Sequence, residues 1–363
     1  MSAWYWHAAS SQVSAADQGA GCHPVRLCSE AKVIANTGTG NPGHHRQPLL
    51  SVIILSYNDY AGTTGPCLES LRRAQTPAME LIVVDNGSER DTLSQLEQAA
   101  RRDSRIRLIC NATNRGYAGG NNDGVQAATG EFIVLLNSDT VVLPESLVVL
   151  WQGLDRAPAP VIIGPVTNAA GTEQQIHCVG EQVEDILAEG LFWSRHGHGS
   201  LLTTDRLTFF CVAMHRTTYQ ALSGLDESFG QGFYEDTDFC LRARAQGIAL
   251  QIMEEAFVYH QGSASFSKDP EMVQVLLKKN KQRLRQKHGR VREKHTRLKN
   301  LDVLTGYLAQ KDTGEADRPA IAYRFANRML RAEALAPRNL LKRWFYARQL
   351  ARLRRGAVGQ EVR

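Results

Sequence analysis

Three short apolar segments of this chain each end in a cluster of polar residues, and this pattern restricts the folds open to it. With the polar residues that follow them, the segments are LLSVIILSYN (49–58), LIVVDN (81–86) and FIVLLNSD (132–139). An apolar run without polar alternation is typical of a strand buried on both faces of a parallel sheet. Because parallel strands end at one edge of their sheet, the three polar clusters are expected to meet there, where open α/β sheets bind their ligands.

Helical patterns lie between these strands. The spacing of Leu68 and Leu71 and the run Leu93–Ala100 predict helices, and a glycine-rich stretch, NRGYAGGNN (114–122), leads into another. Strands that alternate with helices predict βαβ units and a parallel sheet. A dinucleotide-binding fold would need GxGxxG directly after the first strand, where this chain has SYNDYAG. The pattern therefore favours a different nucleotide pocket, although Asn, Ser and Asp after a strand also form simple turns.

The composition is that of a globular protein. The chain has 363 residues, of which 43% are hydrophobic and 22% charged. No apolar run approaches the length of about 18 residues that a membrane span needs. The seven cysteines form no CxxC pair, which argues against a zinc site or a disulfide framework and suits a reducing compartment. Residues 1–47, rich in Ala, Ser, Gly and His, are predicted to form a disordered leader.

The net charge of +5 conceals an uneven distribution. Residues 1–267 carry a net charge of −11, whereas residues 268–363 carry 25 Lys and Arg against 9 Asp and Glu, or +16. The segment NLLKRWFYARQLARLRR (339–355) interleaves apolar and basic residues, as helices on anionic membrane surfaces do. A helix packed on its own domain or on a partner chain would have the same composition. Nucleic acid would also fit the charge, but no nucleic-acid-binding motif accompanies it, and no such partner is predicted.

Five motifs resemble those of family 2 glycosyltransferases of the GT-A fold: SVIILSYN, LIVVDNGS, NRGYAGGNN, LLNSDT and GFYEDTDFCLR (232–242). Within that family the sequence is similar to bacterial rhamnosyltransferases that build surface polysaccharides. The resemblance implies a Rossmann-like α/β fold with a mixed, mostly parallel sheet flanked by helices. On this basis residues 48–289 are predicted to form the GT-A domain, and residues 290–363 a basic helical tail.

The resemblance also implies a nucleotide site at the edge of the sheet. Asp85 would accept a hydrogen bond from the NH of a pyrimidine ring, a contact that a carboxylate makes without ambiguity, although Asp also caps helices and turns. The residues expected to contact the nucleotide are Ser56, Tyr57, Asn58, Asp85, Arg115, Gly119, Asn121, Asn137 and Ser138.

A metal site and a catalytic base are implied in the same way. Family members often carry DxD where this chain has Asn137-Ser138-Asp139. Asp139 matches the second acid, but an amide replaces the first, which predicts weaker metal binding. His260 matches a histidine that completes the site for a divalent cation, Mg or Mn. Asp236, in the ED pair, would be the general base that takes the proton of the acceptor hydroxyl, although acids in the first turn of a helix also complement its dipole.

Together these inferences predict an inverting, metal-dependent glycosyltransferase of the hexosyltransferase type. The expected donor is a dTDP- or UDP-sugar, with rhamnose favoured as the sugar, and the expected acceptor is a lipid-linked glycan in cell-surface polysaccharide synthesis. UDP-dependent hexosyl or galactofuranosyl transfer and a non-catalytic GT-A-like binding module are the alternatives. The expected location is cytoplasmic, with the basic tail peripheral at the inner face of the cell membrane.

Overall fold

The structure is a computed structural model that describes residues 32–34, 50–76, 78–196, 201–262, 270–291, 293–312 and 318–359. Ten strands in these residues form one mixed sheet. The strands are β1 (Lys32–Ile34), β2 (Leu50–Ser56), β3 (Met79–Asp85), β4 (Ile106–Cys110), β5 (Phe132–Asn137), β6 (Thr140–Val142), β7 (Val161–Val166), β8 (Leu201–Thr203), β9 (Cys211–His215) and β10 (Ala249–His260).

The strand order is β1-β4-β3-β2-β5-β9-β7-β10-β6, and β8 also pairs with β10. Strands β4, β3, β2 and β5 are parallel, as the continuous apolar runs predict. Strand β9 runs antiparallel to both β5 and β7, and β10 is parallel to β7. The α/β class and the mixed, mostly parallel sheet expected from the sequence are therefore confirmed.

Helices cover both faces of the sheet. A π-helical turn (Tyr60–Thr64) precedes the first of them, and a 3-10 turn (Glu227–Phe229) lies between the sixth and the seventh. The α-helices are α1 (Gly65–Arg72), α2 (Arg90–Arg102), α3 (Gly116–Ala127), α4 (Ser146–Asp155), α5 (Val183–Arg195), α6 (Arg216–Ala221), α7 (Glu235–Ala245), α8 (Pro270–His288), α9 (Thr296–Asp312), α10 (Arg318–Ala334) and α11 (Leu340–Gly359).

Alternate residues of the central strands enter two separate apolar layers. Val52 and Ile54 of β2 pack in the layer that contains Leu68 of α1. Their neighbour Ile53 packs in the opposite layer with Phe239 of α7. Because successive side chains of a strand point to opposite faces, burial of all three residues requires helices on both sides of the sheet.

The glycine-rich stretch folds as helix α3, and its glycines let that helix lie close to the sheet. A Cβ atom on Gly120 would fall 2.2 Å from Cδ1 of Leu55, and one on Gly124 would fall 2.4 Å from Cγ2 of Ile53. Both distances are too short for a real carbon. These two glycines therefore serve helix–sheet packing.

The predicted disordered leader contains an ordered piece. Lys32–Ile34 forms β1, which pairs antiparallel with β4, although these three residues lie in the segment 1–47 that was predicted to be disordered. Without β1, the backbone groups on one side of β4 would remain unpaired at a sheet edge. The remainder of residues 1–47 lies outside the described residues.

The far side of the sheet brings two distant parts of the chain together. Strand β6 pairs antiparallel with the end of β10, with Thr140 opposite His260. The backbone NH of Gln261 donates to the carbonyl of Asp139 at 2.9 Å. This pairing places the residues just after β5 beside the end of β10.

Helices α9, α10 and α11 form a further apolar layer around Tyr307, Phe325, Met329 and Tyr346. The C-terminal helical extension expected from the sequence is thus present. No described helix is both long enough and apolar enough to pass through a bilayer.

Candidate active site

A cleft of about 700 Å³ opens at the carboxyl ends of β2, β3 and β5. Six residues that the sequence singled out line it, so the polar strand ends do converge as expected. These six are Tyr57, Asn137, Ser138, Asp139, Asp236 and His260.

Asp139 and His260 form a pair on one wall of the cleft. Nε2 of His260 lies 3.5 Å from Oδ1 of Asp139, and both side chains are nearly buried. Nδ1 of His260 lies 2.9 Å from the carbonyl oxygen of Ala169, and the ring stacks on Phe210. Burial disfavours the charged imidazole, but the Asp139 carboxylate and the Ala169 carbonyl outweigh burial and raise the pKa of His260. The ring is therefore fixed with Nε2 towards Asp139.

This pair fits a divalent cation that brings other ligands with it. A carbonyl against Nδ1 is the arrangement that orients metal-binding histidines in proteins. No group of three or more His, Cys, Asp or Glu side chains able to hold a metal occurs among the described residues. A cation at Asp139 and His260 would need further oxygen ligands, such as substrate phosphates.

The three acids at the start of α7 have different surroundings. Asp236 lines the cleft, and its Oδ1 accepts from the backbone NH of Thr237 at 2.6 Å. Burial raises the pKa of Asp236, and Arg206 opposes this shift. Asp238 is fully buried instead and is paired with Lys287, His288 and Arg242. Burial alone would raise its pKa, but these three partners outweigh burial and lower it.

Glu235 is the third acid and also lines the cleft. The residue is only 7% exposed, and its buried Oε2 atom has no hydrogen-bond partner. Glu235 and Asp236 therefore lie where they could contact a substrate. Asp238 instead connects α7 to α8 through Lys287 and His288.

A strained loop presents these acids to the cleft. Gly230, Gly232, Phe233 and Tyr234 all have positive φ angles, with φ of 71° at Phe233 and 75° at Tyr234. Positive φ is unusual for bulky residues, and such strain is found preferentially at functional sites.

The loop is held from two sides. The buried Asn280 of α8 donates from Nδ2 to the carbonyl oxygens of Phe229 at 2.8 Å and Gly232 at 2.7 Å. On the other side, Gly116 approaches so closely that a Cβ atom on it would fall 2.1 Å from the Gly230 carbonyl oxygen. The backbone NH of Tyr117 also donates to Gln231 O at 3.3 Å.

Asn86 organises the opposite end of the cleft, although the sequence did not single it out. Its Nδ2 donates to Oδ1 of Asn114 at 3.0 Å and to the carbonyl of Gly116 at 3.2 Å. Its Oδ1 accepts from the backbone NH of Arg115 at 3.0 Å. Asn86, Asn114 and Gly116 all line the cleft. The only sequence signal for Asn86 was its place directly after Asp85.

Three of the predicted nucleotide contacts lie behind the cleft wall. The hydroxyl of Ser56 is buried and lies 2.8 Å from that of Thr64. Asn58 joins two strand ends, because its NH donates to Ser88 Oγ and its Oδ1 accepts from Glu89 N, both at 2.9 Å. Asp85 is 2% exposed, its Oδ1 accepts from Ser88 N at 3.2 Å, and burial raises its pKa.

Three others lie on α3 or just before it, outside the cleft lining. The guanidinium of Arg115 pairs with Asp123 and with Glu227. Gly119 faces Arg115, because a Cβ atom added to Gly119 would lie 3.0 Å from Cβ of Arg115. Asn121 is buried, and its Nδ2 donates to the carbonyl of Tyr117 at 2.8 Å. The structure does not bring these three to the cleft, and their contact with a nucleotide stays a prediction.

Several other residues that line the cleft have no recognisable signal in the sequence. Arg206 lies between β8 and β9. Met272 and Leu277 lie on α8, in the basic part of the chain, and add apolar side chains to the cleft. None of these belongs to a motif. Their contribution depends on how β8, β9 and α8 fold back over the sheet.

The mixed sheet, with a cleft at the carboxyl ends of its parallel strands, is that of the GT-A fold. Residues 51–211 match the model of the family described as Glycosyl transferase family 2. This part of the chain is therefore similar to a family 2 glycosyltransferase domain, as the motifs indicated.

The names of two similar proteins refer to succinoglycan biosynthesis and to glucosyl transfer. The chain is 33% identical over 122 residues to the succinoglycan biosynthesis protein ExoO of Rhizobium meliloti, covering 34% of each protein. It is 30% identical over 115 residues to the GalNAc(5)-diNAcBac-PP-undecaprenol beta-1,3-glucosyltransferase of Campylobacter jejuni, covering 31% of this chain and 37% of that protein. The chain spans between 25% and 63% of the length of the curated relatives that it matches.

One solved structure can be aligned with most of this chain. The mannosyltransferase PcManGT from Pyrobaculum calidifontis, in complex with GDP-Man and Mn2+, is 17% identical, with a TM-score of 0.49, and the match covers 87% of this chain and 88% of that one.

Proposed function

We propose that this protein is an inverting glycosyltransferase that moves a sugar from a nucleoside diphosphate to a lipid-linked glycan acceptor during cell-surface polysaccharide synthesis. One observation carries the proposal: Asp236 shares a single cleft with the pair of Asp139 and His260. A base and a site for the charged leaving group are the two features that this reaction needs. The relatives named above act on glycans by their names, which supports the class of acceptor.

In this reaction the acceptor hydroxyl oxygen attacks the anomeric carbon while the bond from that carbon to the diphosphate breaks. The Asp236 carboxylate takes the hydroxyl proton and ends protonated. The configuration inverts because the oxygen attacks the face of the anomeric carbon opposite the departing diphosphate. A raised pKa makes this carboxylate a stronger base, and burial supplies that shift. Arg206 opposes full neutralisation, which keeps Asp236 available in its ionised form.

Asp139 and His260 would hold a divalent cation, Mg or Mn, through one carboxylate oxygen and Nε2. Such a cation offsets the charge that develops on the departing diphosphate. Tyr57, Asn137 and Ser138 line the same cleft and are proposed to contact the nucleotide. Asp85 would accept from the base if Ser88 releases its carboxylate, since Ser88 N holds it in this structure.

A thermal-shift panel tests this function. The purified chain is heated with dTDP, UDP, GDP, CDP or NAD, each with Mn2+, Mg2+ or EDTA. A ligand that binds only the folded state raises the Tm by mass action. Metal-dependent stabilisation by dTDP is expected and supports rhamnosyl transfer, whereas stabilisation by UDP would assign hexosyl or galactofuranosyl transfer. No shift with any pyrimidine nucleotide would contradict the proposal.

We also propose that α11 brings the enzyme to an anionic membrane surface, where a lipid-linked acceptor would lie. Leu340, Leu341, Trp344 and Phe345 are 80%, 66%, 51% and 56% exposed. Residues 335–359 contain seven Arg and Lys and no acidic residue. Exposed aromatic and aliphatic side chains beside basic ones suit the interface of an anionic bilayer.

Flotation with liposomes tests the membrane proposal. The full chain is compared with Leu341→Ser/Trp344→Ser/Phe345→Ser, using neutral vesicles and vesicles that contain phosphatidylglycerol. The full chain should float with the anionic vesicles and the triple variant should not. A control variant, Leu298→Ser, changes an exposed leucine elsewhere, 42% exposed, and should float normally. Equal flotation of all three proteins would contradict a role for α11.

A further inference from the structure

Glu235 has a buried carboxyl oxygen with no partner in the protein. The residue lies at the first position of α7 and lines the cleft directly beside Asp236. Its Oε2 atom is shielded from solvent and accepts no hydrogen bond. An unpaired buried polar atom costs stability, and such exceptions in a folded protein call for an explanation. A ligand that fills the cleft and supplies the missing partner would explain it.

The surroundings of Glu235 disfavour its charged form. Asp236 carries the next carboxylate along the chain, and Tyr117 borders both acids. Burial, and then the charge of Asp236, raise the pKa of Glu235 to about 8. Arg206 lowers the pKa of the neighbouring Asp236, while Glu293 raises it. Of two adjacent buried carboxyl groups, one therefore keeps its proton.

The depth of Glu235 indicates which sugar it meets. Glu235 is 7% exposed, whereas Asp236 is more accessible and is assigned to the acceptor hydroxyl. Because Asp236 has to reach the acceptor hydroxyl as this attacks the anomeric carbon, the transferred sugar would lie beside Asp236 in the cleft, next to the neighbouring Glu235. We infer that Glu235, as a neutral carboxyl group, hydrogen-bonds a hydroxyl of the transferred sugar and so helps to select the donor. This inference rests on the proposed glycosyltransferase function.

Calorimetric titration separates binding of the sugar from binding of the nucleotide. The probes are dTDP with dTDP-rhamnose, and UDP with UDP-glucose, in Mn2+ at pH 7, and the pair that binds the wild-type protein is used. The measured quantity is the ratio of the Kd of the nucleoside diphosphate to that of the nucleotide sugar. Glu235→Ala should leave the Kd of the diphosphate unchanged and lower this ratio about five- to tenfold, the effect of one lost hydrogen bond.

Glu235→Gln is the matched variant. An amide has the shape of the neutral carboxyl group and keeps one donor and one acceptor, so this variant should retain the wild-type ratio. If Glu235→Ala does not fold, Glu235→Asp is used in its place. This variant withdraws the carboxyl group by one methylene and should lower the ratio of the two Kd values by a similar factor.

These results distinguish a wrong role for Glu235 from a wrong function for the protein. An unchanged ratio in Glu235→Ala, equal weakening of both probes, or a glutamine variant as weak as alanine would overturn the inference and leave the enzyme assignment intact. Wild-type protein that binds none of the four probes would overturn the proposed function, and this inference with it.

Discussion

Nη2 of Arg328 in α10 donates a hydrogen bond of 3.0 Å to Oε1 of Glu254 in β10, and both side chains are fully buried. Nη1 of Arg324 lies 3.2 Å from the other carboxylate oxygen, and the phenol of Tyr307 in α9 also donates to Glu254. Both guanidinium groups lie over the ring of Trp193. Helices α9 and α10 are therefore attached to the sheet by a buried ionic cluster, whereas Leu340, Leu341, Trp344 and Phe345, four exposed apolar residues in sequence proximity, belong to α11.

Replacement of Glu254 tests this attachment. Glu254→Gln removes the carboxylate that Arg324 and Arg328 share, and removing one partner of a buried pair costs about 3–5 kcal/mol in the free energy of unfolding. Urea denaturation measures the change. The control is Glu333→Gln, which removes the exposed partner of Arg354 and should cost less than about 1 kcal/mol. Equal losses in the two variants would show that the cluster does not anchor the helices.

Asp236→Asn should abolish sugar transfer while leaving nucleotide binding nearly unchanged, because an amide cannot take the acceptor proton. The loss expected from removal of a general base is about 100- to 10,000-fold in kcat. The rate of sugar transfer is measured as release of the nucleoside diphosphate, and nucleotide binding is measured by calorimetry.

Asp238→Asn is the comparison for that variant. Asp238 is paired with Arg242 and Lys287 away from the cleft, so its replacement should lower stability more than kcat. Full transfer activity in Asp236→Asn, or a lower kcat in folded Asp238→Asn than in Asp236→Asn, would reassign the base.

His260→Ala should remove the metal dependence of nucleotide binding. The wild-type chain is expected to bind the nucleoside diphosphate more tightly in Mn2+ than in EDTA. Loss of one ligand should reduce that advantage at least about tenfold. His215→Gln provides the control, because His215 packs against Phe132 outside the cleft. Retention of the full metal effect in His260→Ala would exclude His260 as a ligand.

Gly116→Ala should displace the loop that carries Glu235 and Asp236. Gly116 has a φ of 72°, and the added Cβ would collide with the Gly230 carbonyl oxygen. Displacement of a catalytic group by about 1 Å can cost about 100-fold in rate. Gly171→Ala is the matched control, since Gly171 also lines the cleft but has open space at its Cβ position. Comparable rates for the two variants would show that this contact does not position the loop.

Strands β2, β3 and β5, their parallel arrangement and the convergence of their ends followed from the sequence alone. Apolar runs such as that of β2 report burial on both faces, and this property depends only on local residue types. The same reasoning placed Asn137 and Asp139 at the sheet edge. Family motifs then indicated Asp236 and His260, and all four residues line the cleft.

Only the tertiary structure decided which polar residues face that cleft and which ones hold it together. Ser56, Asn58 and Arg115 are as polar as Tyr57 and Asn137, but hydrogen bonds and ion pairs to distant residues engage them elsewhere. Pairing of β6 with β10 set Asp139 beside His260, and Asn280 fixed the loop before Glu235. Contacts between residues so far apart along the chain leave no local pattern, so residue types and spacing determined the strands, while packing selected the site.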